Sequence, residues 1–301
     1  MAATSPDTEA KKKLPKTAIA VAATAACLGI IYGYDNGIIG GAQDVFAEDL
    51  GLSTQQTEFV VAAIVYGEII GAIAAGFLVN FWGRKKSMII LTAGYVVFGL
   101  LSAISVNMWM LAGSRIGLGL AIGISLIAVP VFVAESIPAR VRGGTLVLYQ
   151  VMGVCGIILG LLFSLALSGS TWLDSWRIML GLASVPALIL LPVIIKLPET
   201  ARWYVMKGRI AEARTSMALT DPEANADEEI KAIQAANDEE RGGAIKEMLR
   251  KPYARATFFV VGLGFFIQIT GINATVTYGP QIFKAMGVES ATQQILMALL
   301  V

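Results

Sequence analysis

The chain has 301 residues, 56% of them hydrophobic and 15% charged, with a net charge of +1. A soluble globular domain carries about 25% charged residues, so this composition argues against one, and the near-zero net charge offers no field for nucleic acid. Histidine is absent, which removes His-based triads, His metal sites and His proton relays.

Mean hydropathy is +0.69, and the charges gather in short blocks between apolar runs. Each run of about 20 residues can cross a hydrocarbon core of about 30 Å as a helix rising about 1.5 Å per residue. The two cysteines, Cys27 and Cys155, lie inside such runs. They imply no disulfide framework and do not report a compartment.

In chain order, Lys11, Lys12, Lys13 and Lys16 precede an apolar run from Ala18. This resembles the basic and apolar regions of a signal peptide. The run continues past Ile31 into Tyr32-Gly33-Tyr34-Asp35, and no A-x-A cleavage pattern follows. It reads as an uncleaved first span. Apolar length predicts spans at 18–42, 58–79, 87–106, 110–134, 145–167 and 176–195, then a seventh at 257–283. The expected organisation is a tail (1–17), a six-helix bundle (18–195), a polar linker (196–255) and the start of a second transmembrane half (256–301). An apolar run from about Thr292 stops at Val301, so the chain reads as a fragment or early-terminated form of a longer protein.

Basic residues orient the spans. They occupy the N-terminal tail, Arg84-Lys85-Lys86, Arg140 with Arg142, and the 196–255 stretch, which are alternate loops. The intervening loops hold Asp44, Glu48, Asp49 and Asp174. The positive-inside rule therefore predicts that tail and basic loops face the cytoplasm. Within the linker, 228–233 and 244–249 have the pattern of short amphipathic helices.

An ionisable residue inside a span costs about 2.5–3.5 kcal/mol on insertion scales, so it faces a cavity or a partner. Asp35 and Arg115 stand out. Each lies about seven residues, or about 10 Å, from the outer end of its span. Opposite charges at one depth predict a pair, either a structural bridge fixing helix packing or a proton site. Gly33, Gly37, Gly40 and Gly41 flank Asp35, and Gly117, Gly119 and Gly123 follow Arg115. Small residues at this spacing point to close helix packing rather than a hinge. Span seven carries Gln268, Thr270, Asn273, Thr275 and Thr277, with Gln268 about 18 Å from the inner end. These groups and Gln150 suit either a hydroxylated solute or interhelical hydrogen bonds.

An ordered set of motifs resembles the sugar porter family of the major facilitator superfamily. They are Gly33-Tyr34-Asp35-Asn36-Gly37, Gly76-Phe77-Leu78-Val79-Asn80-Phe81-Trp82-Gly83-Arg84-Lys85, Arg115-Ile116-Gly117-Leu118-Gly119, the Pro130 to Gly143 segment with Glu135 and Arg142, Pro198-Glu199-Thr200-Ala201-Arg202-Trp203, and Gln268-Ile269-Thr270-Gly271-Ile272-Asn273. Singly they are weak; in order over nearly the whole chain they are specific.

The resemblance implies an all-α membrane protein of the major facilitator fold, here the N-terminal six-helix half plus the first helix of the second. It implies alternating access to a site between the halves. It places Asp35 on the proton-coupling aspartate and Arg115 on its partner. Tyr32, Gln150, Gln268 and Asn273 fall on sugar-contacting positions. Asn80, Arg84, Glu135, Arg142, Glu199 and Arg202 fall on a cytoplasmic charge network that latches one state. Three positions depart from the family: Asn80 replaces an aspartate, Ile267 a frequent glutamine and Thr277 a common tyrosine. The first weakens the latch, and all leave the sugar unnamed.

The expected partners are a sugar or polyol, a proton and membrane lipid, without cofactor, metal or nucleic acid, in a protein monomeric at full length. No P-loop, metal-ligand cluster or nucleophile motif suggests an enzyme. Proton symport is the leading reading. Facilitative uniport on the same fold remains open, as does a transport-inactive half protein acting as a sensor or regulatory partner.

Overall fold

The computed structural model describes residues 14–167, 174–239, 248–288 and 290–300, and all of its regular structure is helical. Helices α1 (Lys16–Asp49), α2 (Thr54–Trp82), α3 (Arg84–Ala103), α4 (Met108–Ser136) and α5 (Ala139–Leu167) follow the predicted spans and overrun most of their ends. Long helices form because these runs are apolar, and local groups set their limits. Ser53 caps α2 by accepting from Gln56 N–H, while the Gln56 side chain accepts from Ser53 N–H. That reciprocal pair satisfies two otherwise unpaired donors. Asn107 caps α4 through Met110 N–H.

Spans six and seven are not continuous helices. Span six divides into α6 (Ser175–Gly181) and α7 (Ser184–Lys196). Pro186 lies in the first turn of α7, where it lacks the N–H that would continue the ladder and its ring crowds the carbonyl four residues back. Span seven divides into α11 (Ala254–Ile269) and α12 (Ile272–Ala285) at Gly271, whose φ of +76° a side-chain-bearing residue rarely adopts. With these pairs joined, seven segments are long and apolar enough to cross a membrane.

Packing follows the glycines. Helix α1 lies along α5, and α2 along α4, which is the most buried span. A β-carbon added at Gly33 would collide with the Gly153 carbonyl, and one at Gly156 would collide with the Ile30 carbonyl. The α1 and α5 backbones therefore approach within a distance only glycine permits on both sides. Helix α3 packs on α4 and α7.

Three short helices lie in the predicted linker: α8 (Ala201–Met206), α9 (Ile210–Thr220) and α10 (Ala226–Glu239). The amphipathic segment at 228–233 lies within α10. It buries Ile230 against Ala201, Val205, Ala213 and Met217. Of the second expected segment, 244–249, residues 244–247 lie outside the described residues. Helix α13 (Ala291–Leu300) packs on α12 and α5.

Candidate functional site

Asp35 and Arg115 come from α1 and α4, and both are buried among apolar side chains. Arg115 Nη1 donates to Asp35 Oδ1 at 2.7 Å, with the side chains 2% and 4% exposed for Arg and Asp. Arg115 Nε is buried without a partner among the described residues. The two charges thus share one short bond. Replacing such a pair with well-packed apolar groups is often neutral or stabilising, so its presence is not explained by stability alone.

The pair opens onto a cleft of about 210 Å³ between α1, α2, α4 and α12. Tyr32 and Asn36 on α1, Glu68 on α2, and Asn273, Thr277 and Tyr278 on α12 also line it. The Gly271 break turns α12 so that it lies on α1. Gln43 Nε2 donates to the Thr277 carbonyl at 3.3 Å, and Lys284 pairs with Asp44 at 3.2 Å.

Of the residues predicted to contact a solute, Tyr32 and Asn273 line the cleft. Gln268 does not; its Oε1 accepts from Asn273 Nδ2 at 2.9 Å across the helix break. Gln150 does not line the cleft either. It is exposed on α5, one turn from Gly153, beside which the Tyr32 ring lies. Glu68 is absent from the sequence-based set, which singled out only Asp35 and Arg115 as intramembrane charges. The same criterion, an ionisable residue mid-span in an apolar run, identifies it.

A second charged cluster stands at the end of the bundle bearing Arg84-Lys85-Lys86. Arg84 Nη2 pairs with Glu135 Oε1 at 2.9 Å, and Nη1 donates to the Val79 carbonyl at 3.3 Å. Thr200 Oγ1 donates to Glu135 Oε2 at 2.6 Å. The Glu199 carboxylate accepts from the N–H groups of Arg84 and Lys85, the open N-terminus of α3, where the helix dipole favours an anion. A β-carbon at Gly83 would collide with that carboxylate, and Gly83 has a φ of +99°, so glycine is required there on both counts. Burial pushes the Glu199 carboxyl above its ordinary value, opposed by the N–H groups of Thr200, Lys85 and Arg84.

Asn80 joins this cluster through its main chain, the carbonyl accepting from Trp203 Nε1 at 3.2 Å. Its exposed side chain is not the connecting group. Arg142 Nε donates to the Ile137 carbonyl at 3.4 Å, and Arg142, Arg202 and Glu135 line a cavity of about 230 Å³. The six expected latch residues therefore lie at one end of the molecule, with Arg84, Glu135 and Glu199 at its buried centre.

Comparison with known proteins adds to this geometry. The family model described as sugar (and other) transporter matches residues 21–301. The galactose-proton symporter of Escherichia coli K12 is 33% identical over 272 residues, covering 90% of this chain and 58% of the relative. The arabinose-proton symporter of the same strain is 33% identical over 282 residues, covering 93% and 59%. The glucose transporter GlcP of Staphylococcus epidermidis is 34% identical over 269 residues, covering 87% and 58%. The chain thus spans less than two thirds of the length of these relatives. Among solved structures, the partially occluded inward-open xylose transporter XylE from E. coli superposes with a TM-score of 0.78 at 23% identity, over 95% of this chain and 70% of that one. XylE bound to 6-bromo-6-deoxy-D-glucose, described as a major facilitator superfamily proton:xylose symporter, gives 0.78 at 24%, over 93% and 64%. The chain is a multi-pass membrane protein that belongs to the sugar transporter family and has the major facilitator fold, with seven segments long and apolar enough to cross a membrane among the described residues.

Proposed function

We propose that the protein moves a neutral, hydroxyl-rich solute, a sugar or polyol, across the cell membrane by alternating access, together with a proton. The observation that carries this is the Asp35–Arg115 pair, 2.7 Å apart, buried, and open to a cleft lined with hydroxyl and amide groups. A cleft of about 210 Å³ falls below the usual range of about 300–1,000 Å³ for ligand pockets, which suits a small solute. Burying hydroxyls requires replacement hydrogen bonds. Tyr32, Asn36, Asn273 and Thr277 supply uncharged donors and acceptors, and Gln268 orients Asn273. Gln150, exposed on α5 one turn from the Gly153 beside which the Tyr32 ring lies, is a further candidate contact.

Protonation of Asp35 removes its charge and weakens its hold on Arg115, so occupancy of this site biases the accessible side. The cluster of Arg84, Glu135 and Glu199, with Asn80, Arg142 and Arg202 around it, latches helices α2 to α5 to α8 in one of the two states. The basic loops, by the positive-inside rule, support a cytoplasmic position for this cluster and for the N-terminus. Relatives named as galactose-proton and arabinose-proton symporters support proton coupling.

The test is radiolabelled galactose or arabinose uptake into proteoliposomes under an imposed pH gradient. Asp35→Asn is expected to eliminate concentrative uptake while solute binding or exchange persists. Concentrative uptake that is unchanged in Asp35→Asn, or insensitive to a protonophore in the unaltered protein, would refute proton coupling.

A further inference from the structure

The cleft holds one more acid than its single base can neutralise. Glu68 lines it with Asp35 and Arg115, yet among the described residues it makes no side-chain hydrogen bond or ion pair. Its position is fixed by the close glycine-mediated crossing of α2 and α4. A β-carbon at Gly67 would strike the Ile116 carbonyl, and one at Gly123 would strike the Glu68 carbonyl. Glu68 therefore packs where α4 runs from Ile116 to Gly123, with Arg115 just before that stretch. The titratable and charged groups around Glu68 are Tyr32 and Asp35 from α1, Tyr95 from α3, Arg115 from α4 and Tyr278 from α12. Arg115 is the only cation among them.

The buried guanidinium constrains what happens when Asp35 is neutralised. Among the described residues Arg115 has no other side-chain partner, and its Nε is unpaired. Removing one member of a buried ion pair strands the other as an uncompensated charge, which opposes protonation of Asp35. A second carboxylate lining the same cleft as Arg115 lifts that opposition if the guanidinium swings to it. We propose that Glu68 is the alternative carboxylate of this site and receives the Arg115 guanidinium when Asp35 takes up a proton.

The exchange balances. A proton from one aqueous phase binds an Asp35 carboxylate oxygen, and the Arg115 N–H···Oδ1 bond breaks. The guanidinium, protonated throughout, donates instead to a Glu68 oxygen. Release of the proton to the other phase reverses the swap. The inference rests on reading the cleft as a proton-coupled solute site, and it assigns to α2 a role in moving relative to α1.

Infrared titration of the purified chain tests it without requiring transport. The protonated-carboxyl band lost in Asp35→Asn identifies Asp35. Glu68→Gln is expected to move the midpoint of that band to lower pH by about one unit or more, because protonation then strands Arg115. Glu68→Asp, which keeps the charge, is expected to restore part of the shift. A structure of Asp35→Asn is expected to show Arg115 paired with Glu68, a rearrangement that simple charge repulsion would not produce. An Asp35 midpoint unmoved by Glu68→Gln, or Arg115 left away from Glu68 in Asp35→Asn, overturns the proposal. Concentrative uptake that survives Asp35→Asn would instead defeat the proton-coupled reading itself, so the two failures are distinguishable.

Discussion

The two buried charge clusters are built on opposite plans. At the basic end, Arg84 reaches Glu135 and the Val79 carbonyl, Glu135 also accepts from Thr200, and Glu199 caps the start of α3. Each acid there is held by more than one donor. In the cleft, Asp35 and Arg115 share one short bond, and Glu68 lines the same cleft with no side-chain hydrogen bond or ion pair among the described residues. A cluster whose members are multiply satisfied resists rearrangement, because any movement strands several groups at once. A pair joined by one bond beside a spare acid can exchange partners at small cost. The first plan fixes helices to one another; the second suits a site that changes charge.

The largest test of this contrast is Arg115→Ala. It leaves Asp35 buried without a counter-charge, and a loss of about 3–5 kcal/mol is expected, read as a shift in the unfolding midpoint in detergent. Adding Asp35→Asn to Arg115→Ala should recover much of that loss, since both charges are then gone. A double variant as unstable as the single one would show that shape rather than charge matters here.

Glu135→Ala should cost less, about 1.5–3 kcal/mol for the lost charge-assisted bonds, because Arg84 keeps the Val79 carbonyl and lies at the end of the bundle. A loss as large as that of Arg115→Ala would erase the contrast. Glu199 gives a pH signature. Burial raises its folded value above that of the unfolded chain, so between the two values the folded state binds more protons. Stability then falls as pH rises through the window just above the ordinary glutamate range. Glu199→Gln is expected to flatten that slope; an unchanged slope would assign it to another group. The smallest effect belongs to the exposed Lys284–Asp44 pair between α12 and α1. Asp44→Asn should change stability by about 1 kcal/mol or less, in the same unfolding assay.

Much of the membrane architecture was legible in the residues. Apolar length located all seven spans, and the shared depth of Asp35 and Arg115 predicted the pair that the structure shows at 2.7 Å. The glycines near them mark close helix crossings rather than hinges, apart from Gly271, where span seven breaks. Other features were not legible. Asn80 belongs to the basic-end cluster through its carbonyl, and a backbone contact leaves no trace in residue type. Gln150 and Gln268 lie outside the cleft, while Asn36 and Tyr278 line it.

The sequence by itself determined that the chain crosses a membrane repeatedly, where charges enter the spans, and which glycines permit backbone contact. Those properties follow from local apolarity and helical rise. Only the tertiary structure decided which side chains share the cleft, and that Glu68 is among them. Spans that are apolar on nearly every side carry no pattern that fixes their rotation. The inward face of each is therefore chosen by the crossings it makes with its neighbours.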